Sequence, residues 1–303
     1  MATTVWVKSP NGLANKYDPA GVKFDPNSGV AFLSEAYNVD LDIRGRVSRR
    51  LGFESTDITS SCHSLFFGGT ECVGVIGSSL SAIGEDLTAR ALRTVSANNL
   101  MSYAQVGDSI LYMNGAQKGV VKEGASWDYE MPDNIRYPDT DRVFIDPPIG
   151  HIVRVHSGRV YIAVGNALWY SEPFAPNLFR QGTNWVMFPG KITMIAPVIG
   201  GLFVSTANKI YFLLGNNPKE FTQQVVAHYP AIEGTDVEVD GIAVLAGELS
   251  HMPMQMFTTA NGICVGLADG RLMNLTFETL DYPKAVRGSA VYTGSKYIVS
   301  LEA

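Results

Sequence analysis

The stretch His151–Glu172 reads HIVRVHSGRVYIAVGNALWYSE and contains three short apolar runs separated by two tight turns. The turns are marked by Ser157-Gly158 and Gly165-Asn166, residue pairs that favour a reversal of the chain. The runs between them are rich in Val, Ile and Tyr, which are residues typical of β-strands. The stretch therefore predicts an antiparallel meander of three strands.

The same order of strand, turn, strand, turn and strand occurs elsewhere in the chain. The further copies are Ser64–Gly84, Tyr103–Glu123, Ile192–Gly215 and Met254–Glu278, and a partial copy is Ser289–Ala303. Successive copies begin about 40–60 residues apart, which is the period of propeller blades. The central run of each copy is apolar at consecutive positions, as expected for a strand covered on both faces. The repeat predicts an all-β fold, namely an irregular five- or six-bladed β-propeller.

This pattern divides the chain into two segments. Residues 1–36 include NGLANKYDPAGVKFDPNSG, a loop-like stretch rich in Gly, Pro, Asn and Asp, and residues 37–303 form the predicted propeller domain. The best helix candidate, Gly84–Val95, is equally compatible with a turn followed by a strand. Two segments between repeats, Glu130–Gly150 and Pro173–Trp185, are predicted to be long loops, where contacts with partners commonly occur.

Composition excludes several classes of protein. The chain has 303 residues, 46% of them hydrophobic and 17% charged, which is typical of a folded domain and not of a disordered chain. The net charge of -6 argues against a general DNA- or membrane-surface binder. No apolar run approaches the roughly 18 residues of a membrane span, and the N-terminus lacks the features of a secretory signal. We expect folding in the cytoplasm, no membrane insertion and reduced cysteines.

Motifs that carry enzyme chemistry are missing from the sequence. There is no nucleophile elbow, phosphate-binding loop, zinc-protease motif or paired Cys-x-x-Cys motif, and the five histidines are scattered. We therefore expect no catalytic residues, no metal site and no cofactor, and we expect that the chain is not an enzyme.

One run of carboxylates stands out. Asp236, Glu238 and Asp240 alternate with valines, so on a strand they would share one face. Like charges along one face repel each other unless the face is solvated or binds a cation. A solvated face is the simplest interpretation, and a calcium site or a catalytic acid pair are the alternatives. Such a face could also line a channel through which DNA passes.

A second charged region is the stretch Asn38–Glu54, NVDLDIRGRVSRRLGFE, which predicts a β-hairpin. With Arg44-Gly45-Arg46 as the loop, Leu41 lies opposite Arg49 and Asp40 opposite Arg50. The apolar residues then share one face, and Asp40 and Arg50 form a cross-strand pair on the other face. Such a pair contributes about 0.2–1 kcal/mol. We expect a buried apolar face to set this register.

The arginines at the tip of this hairpin, Arg44 and Arg46, have three interpretations. They could lie in a solvated turn, contact a neighbouring subunit, or contact DNA. Two arginines are too few for strong non-specific DNA binding, because each neutralised phosphate contributes only modestly. Solvent and subunit contact are therefore the favoured interpretations.

The hairpin also carries a resemblance to a known family. Asn38, Asp40, the turn at Gly45, and the closing Arg50, Gly52 and Phe53 resemble the opening element of propeller-type virion proteins of tailed bacteriophages. The run Leu168–Phe221, with its Ser-Glu-Pro and its strand GLFVST, is similar to the same proteins. The family is the tail nozzle, or tail tubular protein B-like, group of short-tailed phages. The chain is short for a complete nozzle, which leaves its position in the tail open.

This resemblance implies a non-enzymatic structural protein of the virion tail. It implies self-assembly into a ring, a hexamer, and contact with portal, adaptor and other tail proteins. Genomic DNA would pass through without sequence recognition, and an acidic surface at Asp236, Glu238 and Asp240 would keep DNA from adhering. The alternative is a propeller that binds or degrades glycans, which requires carboxylates and aromatic residues to converge at one mouth.

Overall fold

The computed structural model describes residues 9–16, 30–41, 46–52, 58, 60–69, 71–133, 142–241, 252–293 and 296–302. These residues form β-strands, turns and one short 3-10 turn at Pro218–Glu220, and they contain no α-helix. The expectation of an all-β fold is therefore confirmed. The ambiguous segment Gly84–Val95 is a turn followed by a strand, Ala89–Thr94.

The N-terminal region contains four short strands. β1 and β2 pair in parallel, and β3 and β4 pair in antiparallel fashion. Their bounds are β1 Ser9–Leu13, β2 Val30–Leu33, β3 Val39–Leu41 and β4 Val47–Arg49. The segment predicted to be loop-like, residues 1–36, thus contains two strands. It is held in place where Asn15 donates from its side-chain amide to the carbonyl oxygen of Asp281 and accepts from the backbone amide of Asp281.

Five four-stranded antiparallel sheets follow in chain order in the described residues. The first has β5 Cys62–Gly68, β6 Glu71–Ile76, β7 Ser79–Ile83 and β8 Ala89–Thr94, and the second has β9 Ser102–Val106, β10 Ser109–Met113, β11 Lys118–Lys122 and β12 Ala125–Trp127. The third sheet is preceded by the short strand β13 Phe144–Ile145. It contains β14 Ile152–His156, β15 Arg159–Val164, β16 Ala167–Tyr170 and, after the short strand β17 Phe179–Arg180, β18 Trp185–Met187.

The fourth sheet has β19 Ile192–Val198, β20 Gly201–Thr206, β21 Ile210–Leu214 and β22 Thr222–Ala227. The fifth has β23 Val237–Asp240, β24 Pro253–Thr259, β25 Gly262–Gly266 and β26 Leu272–Asn274. A last hairpin consists of β27 Arg287–Thr293 and β28 Lys296–Glu302. Four strands joined by successive hairpins are the unit of a propeller blade, so the chain is a succession of propeller-type sheets.

Tight turns set the register within these sheets. In the third sheet His156 pairs with Arg159, so Ser157 and Gly158 alone form the loop. Both have positive φ, 47° and 71°, as a two-residue hairpin turn with the right-handed twist of its strands requires. The meander predicted from His151–Glu172 is present, with β14, β15 and β16 paired in order.

The core consists of apolar layers between neighbouring sheets. One layer contains Val73 and Val75 of the first sheet with Ile110 and Tyr112 of the second. Further layers join the second sheet to the third, the third to the fourth and the fourth to the fifth. The last layer includes Tyr292 and Tyr297, which pack the hairpin β27–β28 against the fifth sheet. Each inner sheet is therefore buried on both faces, which explains the consecutive apolar residues of the central strands.

The two ends of this stack are exposed. In β5, Phe66 packs toward the second sheet, so Leu65 and Phe67 point away, and they are 64% and 69% exposed. In the last hairpin, Val291 and Ile298 point away from the fifth sheet and are 53% and 49% exposed. We call these two surfaces the end faces.

Candidate assembly surface

A buried ion pair lies where the first strands of several sheets meet. Arg154 is in the middle of β14, and its Nη2 donates to Oδ2 of Asp236 at 2.6 Å. The side chain of Asp236 is 7% exposed and that of Arg154 is 26% exposed. Arg154 belongs to the third sheet and Asp236 directly precedes the first strand of the fifth, so the pair joins sheets that are not adjacent in sequence.

Arg154 also makes contacts with the second sheet. Its Nη1 donates to Oγ of Ser102 at 3.0 Å and to the carbonyl oxygen of Tyr103 at 3.4 Å. Ser102 is the first residue of β9, and its hydroxyl also accepts from the backbone amide of Val153 at 3.0 Å. The guanidinium therefore connects the second, third and fifth sheets, which makes it a structural link and not a group available to a ligand.

The three predicted acidic residues are not equivalent. Asp236 precedes β23 and is buried against Arg154, whereas Glu238 and Asp240 are exposed on β23. Val239, between them, is buried in the core, as the alternation predicts. The expectation of a face shared by three solvated carboxylates therefore needs correction, because the desolvated side chain of Asp236 is paired with a cation. That Glu238 and Asp240 line a channel stays a prediction.

The two predicted long loops pack against each other. β13 pairs with β17, with Phe144 opposite Arg180 and Ile145 opposite Phe179. Nε of Arg180 lies 2.8 Å from Oε1 of Glu172, and both side chains are mostly buried. Part of Glu130–Gly150 and Pro173–Trp185 is thus used for packing within the chain, and residues 134–141 lie outside the described residues.

The hairpin β3–β4 forms, but its register differs from the predicted one. Val39 lies opposite Arg49, Asp40 opposite Ser48, and Leu41 opposite Val47. The strands are shifted by two residues relative to the predicted register. A shift of two leaves every side chain on its predicted face. Arg50 still reaches Asp40, with 3.2 Å between Nε and Oδ1, but along a diagonal and not directly across.

The apolar face of this hairpin is not buried as expected. All three residues of β4 are exposed; Val47 is 53% exposed, and Leu51 beyond it is 88% exposed. Cross-strand hydrogen bonds hold the hairpin, including one from the backbone amide of Arg50 to the carbonyl oxygen of Asn38 at 3.0 Å. The three residues of β3 are half-buried, and within the described residues no enclosed apolar layer sets the register.

The hairpin contacts the C-terminal hairpin through one ion pair. Nζ of Lys296, the first residue of β28, lies 3.3 Å from Oδ2 of Asp40. Hydrogen bonds from Lys296 and from Arg50 lower the pKa of the Asp40 carboxyl group. Asp40 is thus a carboxylate held between two cations, one from its own hairpin and one from the other end of the chain.

The remaining predicted hairpin residues are placed as follows. Arg44 and Gly45 lie outside the described residues. Arg46 is exposed directly before β4, and Gly52 is exposed beyond it, with open space around its α-carbon. The exposed residues Val47, Arg49, Arg50 and Leu51 mix cationic and apolar groups, a combination common in protein interfaces.

Sequence reasoning missed Arg154 and Lys296. Arg154 interrupts the run IVRVH, in which its neighbours Val153 and Val155 are apolar, and a cation at such a position indicates a buried partner. Nothing in the sequence near Lys296 indicates its partner, because Asp40 lies 256 positions away.

A shallow cleft lies beside the outermost strand of the fifth sheet. It has a volume of about 510 Å³ and is lined by Tyr229, Asn274, Leu275, Phe277, Glu278 and Thr279. Lys16 lies over the ring of Phe277, with 4.0 Å between its Nζ and the ring centroid. The N-terminal segment thus packs close to this cleft.

The described residues contain no group of three or more His, Cys, Asp or Glu side chains that could hold a metal ion. Within the same residues, no helix has the length and apolar character needed to cross a membrane.

No protein-family model and no curated protein matches this chain. Among solved structures, it is similar to PorZ of the type IX secretion system of Porphyromonas gingivalis, at 14% identity and a TM-score of 0.43, over 82% of this chain and 30% of PorZ. It is also similar to virginiamycin B lyase from Staphylococcus aureus, at 14% identity and a TM-score of 0.43, over 87% of this chain and 84% of the lyase.

A third similar structure is the Pan2 WD40 domain of Neurospora crassa, at 9% identity and a TM-score of 0.45, over 78% of this chain and 70% of that domain. The chain spans about a third of the length of the first of these proteins. At such identities and TM-scores no activity is transferred to this chain, and its description as a set of propeller-type sheets rests on the strand order given above.

Proposed function

We propose that this chain is a structural protein of a bacteriophage tail, a nozzle or head-to-tail channel component that assembles as a homo-oligomeric ring, a hexamer, around the path of the DNA. The observation that carries the proposal is the exposed hairpin β3–β4. It has the residues of the phage resemblance, and it presents Val47, Leu51 and two arginines to solvent. Exposed apolar and cationic residues on a defined element are typical of an interaction surface.

We further propose that the sheets close into a six-bladed propeller, with β27–β28 as part of the sixth blade. The two end faces support this closure, because Leu65 and Phe67 on one and Val291 and Ile298 on the other are apolar and exposed. Bringing them together would bury both pairs, and burial of apolar surface is favourable by roughly 25 cal/mol per Å².

The DNA path in this proposal is the lumen of the ring of subunits. The middle of one chain's sheets is a poor candidate, because Arg154 and Asp236 join the second, third and fifth sheets there. Glu238 and Asp240 are the exposed carboxylates that would face the lumen, where repulsion of phosphates keeps DNA moving. The partners would be further copies of this chain, the portal or adaptor, and other tail proteins. The location would be the virion tail, after folding in the host cytoplasm.

A propeller that binds or degrades glycans is the second candidate. One observation favours it: the cleft beside β26 combines the aromatic residues Tyr229 and Phe277 with Asn274 and Glu278. Hydrolysis of a glycosidic bond commonly requires two carboxyl groups about 5–10 Å apart, and Glu278 is the one carboxylate among the cleft residues. Binding without hydrolysis is therefore the form of this candidate that the cleft supports.

Purified phage particles test the proposal. Mass spectrometry should detect the chain in intact virions, and electron microscopy with an antibody against it should label the tail. Portal and tail genes should neighbour its gene. If the chain is missing from virions and the purified protein binds or cleaves a host polysaccharide, the second candidate replaces the first.

A further inference from the structure

The last sheet is half the size of the five propeller-type sheets. The five preceding sheets have four strands each, whereas β27 and β28 form a sheet of two within the described residues. β28 occupies the second position, so its outer edge is where a third strand would pair. An unpaired edge presents backbone N–H and C=O groups that another strand can bind.

The hairpin β3–β4 has the two strands that the last sheet lacks. It is itself a two-stranded sheet with no ladder to a third strand in the described part of the chain. An isolated two-stranded hairpin is marginally stable in water. Two incomplete sheets of two strands would make one sheet of four.

The faces of the two hairpins match. Asp40 and Lys296 are in contact, so both side chains would lie on the same face of a combined sheet. Because side chains alternate, Val39, Leu41 and Val47 would then share the opposite face with Tyr297, Val299 and Leu301. Tyr297 already packs on the fifth sheet, so the combined sheet would continue the apolar layer that Tyr297 begins.

The hairpin is lightly held on its own chain. β4 is exposed throughout, β3 is only half-buried, and the residues that flank the hairpin, Tyr37 and Leu51, are 81% and 88% exposed. Exchange of the hairpin between copies would therefore sacrifice few contacts within one chain. Exchange of an identical element is a low-cost route to assembly, and a donor surface that differs from the acceptor surface generates rings.

We infer that the hairpin β3–β4 of one copy pairs with the outer edge of β28 in the next copy, and that this exchange joins the subunits. The occupant of the β28 edge is thus a second copy of this chain. This inference rests on the proposed ring and names its contact. The Asp40–Lys296 pair, which the structure shows within one chain, re-forms between neighbours on exchange and sets the position of the hairpin on the edge.

Isotope-mixed cross-linking tests the inference on the unmodified sequence. Unlabelled and nitrogen-15-labelled protein are mixed under dissociating conditions, reassembled and treated with a carbodiimide, which joins a carboxylate and an amine in contact as an amide. If the hairpin is exchanged, about half of the Asp40–Lys296 cross-linked peptides carry one label from each population. If every such peptide carries a single label, or if none forms, the inference is wrong. The variant Asp40→Asn controls for the assignment of the peptide.

A charge exchange gives an independent test. Asp40→Lys and Lys296→Asp each place like charges in contact, so each variant alone should assemble about fivefold more weakly per contact. If the hairpin reaches the next copy, a ring in which the two variants alternate has opposite charges at every boundary. At one boundary the lysine introduced at position 40 meets the aspartate introduced at position 296. At the next boundary the original Asp40 meets the original Lys296. If the contact lies within one chain, mixing the two single variants should not restore assembly. The double variant should assemble under either arrangement, which shows that the substitutions are tolerated.

The outcomes separate this inference from the proposed function. A ring whose cross-links are all within single chains overturns the exchange and leaves the ring. A purified protein that stays monomeric at all concentrations overturns both.

Discussion

β20 in the fourth sheet and β4 in the N-terminal hairpin represent opposite environments within one chain. All six residues of β20 are buried, whereas all three residues of β4 are exposed. Both strands contain β-branched residues and both pair in antiparallel fashion, so local strand chemistry does not explain the difference. The difference is that β20 has a sheet on each side, whereas no sheet within the described residues covers β4. The inner sheets therefore contribute most of the stability of the fold. The hairpin contributes little to it and has a surface free to contact partners.

The largest effect is expected in the inner sheets. Phe203 is fully buried, and its ring centroid lies 4.8 Å from that of Phe212 and 6.4 Å from that of Phe257 in the next sheet. Phe203→Ala should lower the free energy of unfolding by about 3–5 kcal/mol, through lost burial and the cavity left behind. Urea denaturation followed by fluorescence measures the change. Leu51→Ala, at an exposed position, is the matched control and should change it by less than about 0.5 kcal/mol.

The ion pair between sheets should give the next largest effect. Arg154→Ala leaves the side chain of Asp236 buried without its cation, which should cost about 3 kcal/mol in unfolding free energy. The double variant Arg154→Ala/Asp236→Asn removes the uncompensated charge and should recover part of this loss. If the single variant proves as stable as the parent protein, Arg154 does not link the sheets in the way described. Arg49→Ala, on exposed β4, provides the comparison and should be near neutral.

The cysteines compare a buried and an exposed position within the four-stranded sheets by pH. Burial raises the pKa of Cys264 in the fifth sheet to about 11, from 9.0. The folded state thus keeps the neutral thiol, and this contribution is complete below pH 9 and lost as the pH rises to about 11. This contribution to the unfolding free energy amounts to roughly 3 kcal/mol at most. Unfolding curves between pH 8 and pH 11 should show a shallower loss of stability in Cys264→Ala than in the parent.

Cys62→Ala is the control for that experiment. Cys62 is exposed at the start of β5, and burial raises its pKa as well, but without the full enclosure of Cys264. Cys62→Ala should change the pH dependence of the unfolding free energy less than Cys264→Ala does. An equal change in both variants would contradict the contrast between the two sheets.

The smallest effect on stability, and the clearest effect on assembly, is expected in the hairpin. Val47 is 53% exposed, so Val47→Glu should change the unfolding free energy of the single chain by less than about 0.5 kcal/mol. In an assembly the same change places a charge in an apolar contact and should weaken association at least fivefold. Sedimentation velocity over a range of concentrations measures the strength of association. Unchanged association would remove the hairpin from the proposed interface.

Periodicity in the sequence was sufficient to predict three strands of each four-stranded sheet, but not the fourth. The apolar runs and glycine turns of Ser64–Gly84 and His151–Glu172 correspond to paired strands of the first and third sheets, because strand pairing within a hairpin is a local property. The faces of the hairpin β3–β4 were also predictable from alternation. Its register was not, because a shift of two residues leaves the alternation of faces unchanged, and no described residue of β3 or β4 is fully buried to favour one register over the other.

Contacts between distant segments were beyond the reach of sequence patterns. Asp236 was predicted to be solvated with Glu238 and Asp240, yet Arg154 neutralises it from another sheet. Lys296 and Asp40 meet for the same reason, since the succession of sheets brings the two ends of the chain together. Pairings of this kind depend on how the sheets stack, and a single stretch of sequence does not contain that information.

Electron microscopy of the purified protein tests the central claim most directly, namely that the exposed hairpin of a structural protein is covered by a neighbouring copy. We predict closed rings in which β3–β4 lies at each boundary between subunits and continues the sheet formed by β27 and β28. Single copies, or rings in which the hairpin faces solvent away from every boundary, would contradict the account.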